Sequence, residues 1–260
     1  MEYTADGIVI KETLIGENDK LLTILTGKHG IIKAYAKGVK KIASKNAPAC
    51  QLFVFSEFEF LEKASRLTVK TATAKELFYD MRCDMARYSL ACYFAQVLNH
   101  VCMENDDETE SLRLFLNCLY ALSNKKDIAL SQIKATFELK LMCICGFMPE
   151  FDSCISCGSL LSVERNNIFS FQEAGLLCKK CMSESLVQAI PYSCSVSDRV
   201  LTIMRNICHL PQSKMLSFNI ENELLSELCF ICENYLIHKT ERSYETLKIY
   251  KSIISSLGEK

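Results

Sequence analysis

Four cysteines constrain this chain more than any other feature. Cys154-Ile-Ser-Cys157-Gly158 and Cys178-Lys-Lys-Cys181 are two CxxC pairs separated by 20 residues. In a CxxC knuckle two thiolates point at one cation, and two knuckles complete a tetrahedral shell of four sulfurs. Gly158 suits the tight backbone after the first pair, because glycine tolerates positive φ. Ile168-Phe169-Ser170-Phe171 is predicted as a short strand, and Glu173-Ala174-Gly175 as a turn back to the second knuckle. A segment this short has no core of its own, so a metal substitutes for one. The expectation is a ribbon over 151–182 that holds one structural Zn2+ through Cys154, Cys157, Cys178 and Cys181. The competing reading is two redox or packing pairs that never meet.

The sequence carries its own control. Cys229-Phe-Ile-Cys232 has the same spacing, but it lies in a helical stripe of Leu224, Leu225, Leu228, Ile231, Tyr235 and Leu236. No glycine follows it and no partner pair remains, so these two read as core cysteines. The chain has 15 cysteines, an odd number, and most of the others sit singly among apolar residues. Free cysteine behaves as a small buried hydrophobe. The first residues, Met-Glu-Tyr-Thr-Ala-Asp, have neither the basic nor the apolar stretch of a signal peptide. Tyr88–Met103 is uncharged but carries Gln96, Asn99 and His100, too short and polar to span a bilayer. These features predict a soluble cytoplasmic protein with reduced thiols.

Residues 1–76 read as β structure. Gly7-Ile8-Val9-Ile10 starts a first strand and Leu21–Thr26 makes a second. Gly27-Lys28-His29-Gly30 forms a hairpin connection to a third strand, Ile31–Ala36. A lysine-rich loop over Ala36–Pro48 follows. Leu52–Leu61 carries Phe53, Phe55, Phe58 and Phe60, whose phase slips by one and predicts a bulge near Ser56-Glu57. Leu67–Ala72 is the fifth strand. Five short strands with one long loop fit an OB-fold barrel, and an SH3-like barrel would give much the same pattern.

Charge is uneven along the chain. Residues 1–75 hold 12 Lys/Arg and 8 Asp/Glu, and residues 76–260 hold 18 and 23. From Lys20 to Ser56 there are seven lysines and no acidic residue. Such a run is a candidate polyanion footprint, against the alternative of a solvated, flexible face. Lys33, Lys37, Lys40, Lys41 and Lys45 are the candidate DNA contacts. Tyr35 is a candidate for base stacking, against a place in the core. Lysine lacks the planar fork of arginine, so such contacts position a phosphate backbone without reading its sequence.

After Leu77 the apolar period changes to about 3.6. Leu90–Val101, Leu112–Leu122 and Phe137–Ile144 carry apolar stripes, the last stopped by Gly146 and Pro149. Asn105 or Asp106 is the expected N-cap of the second stripe. Asp198–Leu210, Glu221–His238 and Glu241–Ile254 are further predicted helices, and Ser255–Lys260 reads as a frayed tail. The resulting fold class is α+β and multidomain. An N-terminal OB-fold barrel spans 1–77, a helical domain spans 78–150 and 183–260, and the ribbon is inserted in it over 151–182.

Catalytic signatures are missing from the sequence. Four cysteines close the metal shell, whereas a catalytic zinc keeps a position open for water. The four histidines lack the context of zinc deaminases. Gly27-Lys28 lacks the first glycine and the Ser/Thr of a phosphate loop, because Leu22 and His29 stand there. A binding protein is expected, not an enzyme.

The arrangement resembles one family along the whole chain, the bacterial RecO recombination mediators. The resemblance rests on Gly7-Ile-Val-Ile10 with Gly16-Glu17-Asn18-Asp19, and on Ala36-Lys37-Gly38-Val39-Lys40-Lys41. It rests also on Gly146-Phe-Met-Pro149 leading to Cys154-Ile-Ser-Cys157-Gly158, and on Ala174-Gly175-Leu-Leu-Cys178-Lys-Lys-Cys181. Ala174 departs from the pattern, standing where the family often has the first glycine of a pair. The resemblance implies a DNA repair protein of the RecF pathway that binds single- and double-stranded DNA and anneals complementary strands. With RecR it would help load RecA onto DNA coated by single-strand-binding protein, whose acidic C-terminal tail it would contact. Such a protein is cytoplasmic and associates with the nucleoid during repair. Two other readings compete: a zinc-ribbon adaptor that binds only proteins, and a cysteine-dependent redox or hydrolytic enzyme.

Overall fold

The computed structural model describes residues 2–64, 66–161, 167–181 and 192–258. The chain forms two compact units, Met1–Lys125 with Tyr244–Lys260, and Lys126–Ser243.

In the first unit β1 (Glu2–Ile15), β2 (Asp19–Thr26), β3 (Ile31–Ala36), β4 (Phe55–Lys63) and β5 (Arg66–Glu76) close a barrel. The strand order is β1-β2-β3-β5-β4, with β4 pairing back onto β1. All neighbours are antiparallel except β3 and β5, which meet in parallel at Tyr35 and Thr68. That closure is OB-like. Alternation fills the interior: Leu22 and Ile24, Ile32 and Ala34, and Phe58 and Phe60 share one core with Val9, Val39, Cys50 and Val69.

The aromatic run before β4 divides its work. The strand begins at Phe55 and not at Leu52, because Phe53 takes a left-handed φ of 61°. Its ring packs edge-on against Tyr88 and Phe115, at 5.5 and 6.2 Å between centroids. Phe53 therefore belongs to the helices and Phe58 and Phe60 to the barrel, which accounts for the slipped phase. The register shift against β5 falls between Phe55 and Ser56, with another between Glu59 and Phe60.

Helices α1 (Tyr79–Arg82), α2 (Met85–Val101) and α3 (Thr109–Asn124) follow the barrel. Asp84 caps α2 by accepting the Arg87 N–H. Neither Asn105 nor Asp106 caps α3, contrary to expectation. Asn105 instead takes φ 62° and donates its N–H to His29 O, while Asp107 accepts from Thr109 N. The hairpin 27–30 thus holds the loop before α3, with Ile31 N on Met103 O and Glu108 N on Gly27 O.

The second unit contains α4 (Leu130–Ile144), β6 (Glu150–Cys154), β7 (Asn167–Ser170), β8 (Gly175–Leu177), α5 (Lys179–Cys181) and β9 (Ser193–Val196). It continues with α6 (Asp198–His209) and α7 (Asn222–Thr240). Its sheet has the order β6-β8-β7-β9. Helix α8 (Glu245–Leu257) returns to the first unit, where Tyr244 packs edge-on against Tyr93 and Thr246 Oγ1 donates to Gln96 Oε1. The helical residues expected over 78–150 and 183–260 are therefore shared between the units. Helix α8 runs past the expected start of the frayed tail, and residues 259–260 lie outside the described residues. So do 162–166 and 182–191, which include part of the expected ribbon and its boundary with the helices.

Candidate metal centre and nucleic-acid interface

The two knuckles meet. Cys154 ends β6 and Cys157 lies in the turn after it, where Gly158 takes φ 70° and donates its N–H to Cys154 O at 2.8 Å. Cys178 follows β8 and Cys181 ends the single turn α5. Strand pairing aligns them, since Cys154 lies opposite Leu176 and Ile155 N donates to Leu176 O. A side chain at 175 would collide, since its Cβ would lie 2.5 Å from Ile155 Cγ2 and 3.0 Å from Glu150 O. The preceding Ala174 takes φ 55°, a conformation in which glycine avoids the cost of a Cβ. The departure at Ala174 leaves the turn intact and places its strain on one residue.

The four sulfurs lie within 4.8 Å of one another, and Cys157 Sγ is 3.8 Å from Cys178 Sγ. Zn–S bonds of about 2.3 Å place tetrahedral sulfurs about 3.8 Å apart, so the cluster fits one small thiophilic cation. Backbone donors already face the sulfurs: Cys178 N reaches Cys154 Sγ at 3.3 Å, and Cys181 N reaches Cys178 Sγ at 3.4 Å. The hydroxyl and backbone N–H of Ser159 bring the Cys157 thiol down to about 6. Burial opposes ionisation of Cys154, but the N–H groups of Cys178, Cys157 and Ser156 outweigh it and lower its pKa. The first knuckle is thus drawn toward thiolate, whereas at Cys181 the Ser156 hydroxyl is outweighed by the neighbouring sulfurs of Cys157, Cys178 and Cys154, which push that thiol up to about 12. Among the described residues, this is the one such group of three or more His, Cys, Asp or Glu.

The control pair differs in each respect. Cys229 and Cys232 sit inside α7, Cys229 Sγ bonds to Ser131 O, and Cys232 is fully buried. Burial pushes the Cys232 thiol far up, so it stays protonated.

In the first unit, the lysines of the acid-free run have unequal roles. Lys20 is bound 2.6 Å from Glu12 Oε2, whose other oxygen accepts Leu52 N, and it serves the barrel. Lys33 pairs with Glu104 at 2.6 Å on an exposed surface. Lys37, Lys40, Lys41 and Lys45 are exposed and make no ion pair among the described residues. Four of the five candidate contacts are thus gathered on one segment, free for an external anion, and the fifth is already engaged.

Backbone and side-chain hydrogen bonds anchor that segment, unlike the flexible face of the competing reading. Lys40 N donates to Asn18 O, Lys41 N to Gly38 O, and Ser44 N to Lys41 O. Asp19 Oδ1 accepts Gly38 N at 2.7 Å, and Gly38 has φ 62°. Asn46 bridges to β5, donating to Lys70 O and accepting Ala72 N. Val39 is buried, and Ala47 packs against the same barrel core. Tyr35 is half-buried, and the Arg66 guanidinium lies 5.8 Å from its ring centre. Sequence reasoning missed the anchoring roles of Asn18, Asp19 and Asn46, the cation beside Tyr35, and the full exposure of Ile42 at 108%. Asn46 carried one signal, an amide-bearing turn former between Lys45 and Ala47-Pro48.

A closed OB-like barrel with helices in one unit, and a helical unit bearing four clustered cysteines, define a two-unit α+β protein with a candidate metal centre. The family description Recombination protein O N terminal matches residues 1–78, and Recombination protein O C terminal matches residues 82–248. The chain is 34% identical to DNA repair protein RecO of Acetivibrio thermocellus over 247 residues, 95% of each chain. It is 30% identical to DNA repair protein RecO of Alkaliphilus metalliredigens, covering 97% of this chain and 100% of the relative. DNA repair protein RecO of Halalkalibacterium halodurans is 26% identical over 90% of this chain and 89% of its own. The chain belongs to the RecO family of DNA repair proteins. No helix among the described residues is long and apolar enough to cross a membrane.

Proposed function

We propose that this protein is a recombination mediator that binds single- and double-stranded DNA through its barrel and anneals complementary strands. The supporting observation is the anchored turn carrying Lys37, Lys40, Lys41 and Lys45, exposed and unpaired among the described residues, in a chain of a DNA repair family. Phosphates would replace water and counterions around those ammonium groups. With RecR, it would help load RecA onto DNA coated by single-strand-binding protein, whose acidic tail it would contact. It would work in the cytoplasm, at the nucleoid, without chemistry of its own. The paired CxxC spacing, the all-thiolate donor set and the 3.8 Å sulfur separation support one structural zinc.

Lys37, Lys40, Lys41 and Lys45 replaced together by alanine test the DNA reading. Single-strand affinity should fall, and the salt slope should flatten by about 0.7 per contact, about 2.8 for all four. Unchanged affinity and slope in a folded protein would move binding away from this turn and favour the protein-only adaptor.

Metal analysis tests the ribbon. Purified protein should carry about one zinc per chain, as should Cys232→Ser, whereas Cys157→Ser should lose it. Zinc-free protein prepared without chelator would refute the assignment.

A further inference from the structure

We propose that Ile42 is a wedge that enters the base stack of DNA held by the lysine turn. Among the described residues it is the most exposed large apolar side chain, at 108%, followed by Leu160 at 85%. A lone exposed apolar residue is ordinary on a protein surface. Ile42 differs in its setting. Lys40 and Lys41 precede it and Lys45 follows, all exposed, and no acidic residue occurs from Lys20 to Ser56.

The backbone keeps it outward. On one side Val39 is buried in the barrel core, and on the other Ala47 packs against that core. Between them, the bonds of Lys40 N to Asn18 O, Ser44 N to Lys41 O and Ala47 N to Ser44 O fix successive turns. Asn46 ties the far end to β5 through Lys70 O and Ala72 N. Isoleucine is β-branched and stiff at χ1, so it retains little freedom to fold down. The result is an apolar point framed by ammonium groups.

An anionic polymer with apolar faces between its charges matches that pattern. DNA offers phosphates to the lysines and base faces to the isoleucine, and inserted apolar side chains are a known way to part base steps. An anionic bilayer also offers charge over an apolar layer, but stable membrane attachment needs a larger apolar area than one side chain. Parting a step in a duplex unstacks two base pairs and kinks both strands, whereas a single strand gives up one base–base stack. The wedge should therefore favour single strands and gaps over intact duplex.

The inference rests on the turn being a DNA contact, and the two ideas separate in one experiment. A single-stranded oligonucleotide with 2-aminopurine at successive positions is titrated with the wild type, Ile42→Ser, Ile42→Leu and the quadruple lysine variant. Unstacking by wild type should raise fluorescence at one or two positions. Ile42→Ser should lose that signal and bind single strands about tenfold more weakly, with the salt slope and the duplex affinity unchanged. Ile42→Leu should keep the signal. The side chain is fully exposed, so these variants should fold as the wild type does. If the quadruple variant binds as wild type, the DNA reading of the turn fails. If it loses binding while Ile42→Ser keeps both signal and affinity, the wedge alone is refuted. Retention on vesicles of phosphatidylglycerol and phosphatidylcholine at physiological salt, lost in Ile42→Ser, would also overturn it in favour of a lipid surface.

Discussion

The turn over 37–46 and helix α4 both carry lysines, and they handle the charge in opposite ways. In the turn, Lys37, Lys40, Lys41 and Lys45 face water without an ion pair among the described residues. In α4, the Lys134 side chain is 5% exposed and lies 2.8 Å from both Glu138 Oε1 and Glu233 Oε2. Burial alone would lower the Lys134 pKa, but the two carboxylates outweigh it and hold the ammonium charged. Lys140, also buried, donates to Cys208 O and Leu210 O at 2.7 and 2.8 Å, where the end of α6 leaves carbonyls without helical partners. A lysine that has spent its hydrogen bonds inside the protein is structural, and one that keeps them is available to a ligand. The count of positive residues does not distinguish the two.

Breaking the buried side should have the larger effect. Lys134→Met would leave Glu138, which is fully buried, beside Glu233 without the shared cation. Loss of one partner from a buried ionic group costs about 3–5 kcal/mol. Urea denaturation should show that loss as a lowered midpoint with the slope unchanged. A change under about 1 kcal/mol would mean that the carboxylates take up a proton between them. The exposed side should respond in the reverse sense. Lys41→Ala should change stability by no more than about 0.5 kcal/mol, yet flatten the salt dependence of single-strand binding by about 0.7. A stability loss near that of Lys134→Met would erase the contrast.

The same contrast explains what could be read beforehand. The barrel strands announce themselves by alternation and by Gly27 and Gly30 around the hairpin. The four clustered cysteines announce themselves by spacing within each pair, but the pairing of β6 with β8 that joins the pairs is not legible in the sequence. The absence of nearby acidic residues in sequence points to Lys37, Lys40, Lys41 and Lys45, but equally to Lys20 and Lys33, which pair with Glu12 and Glu104 from other strands and loops. Sequence did not expose the rigidity of the turn over 37–46, since the anchors Asn18, Asp19 and Asn46 act across strands. Nor did it mark the polar residues of α4 as buried. Lys134 and Glu138, one turn apart, and Lys140 on another face of the helix look solvated until Glu233 and the end of α6, dozens of residues away, close over them. Phe53 misled for a related reason: its apolar character fits a strand, but its partners Tyr88 and Phe115 lie in later helices.

The return of α8 to the first unit gives synthesis an order of its own. Tyr93 and Gln96 of α2 meet Tyr244 and Thr246 only after Lys126–Ser243 have been made. At roughly 5–20 residues per second, that interval is on the order of 6–24 s on the ribosome. During it, the barrel can close and the four cysteines can come together, while the seat for α8 stands open. The first unit to begin folding is thus the last to finish. A nascent chain stalled between the two halves of that unit would expose the surface that chaperones and proteases read.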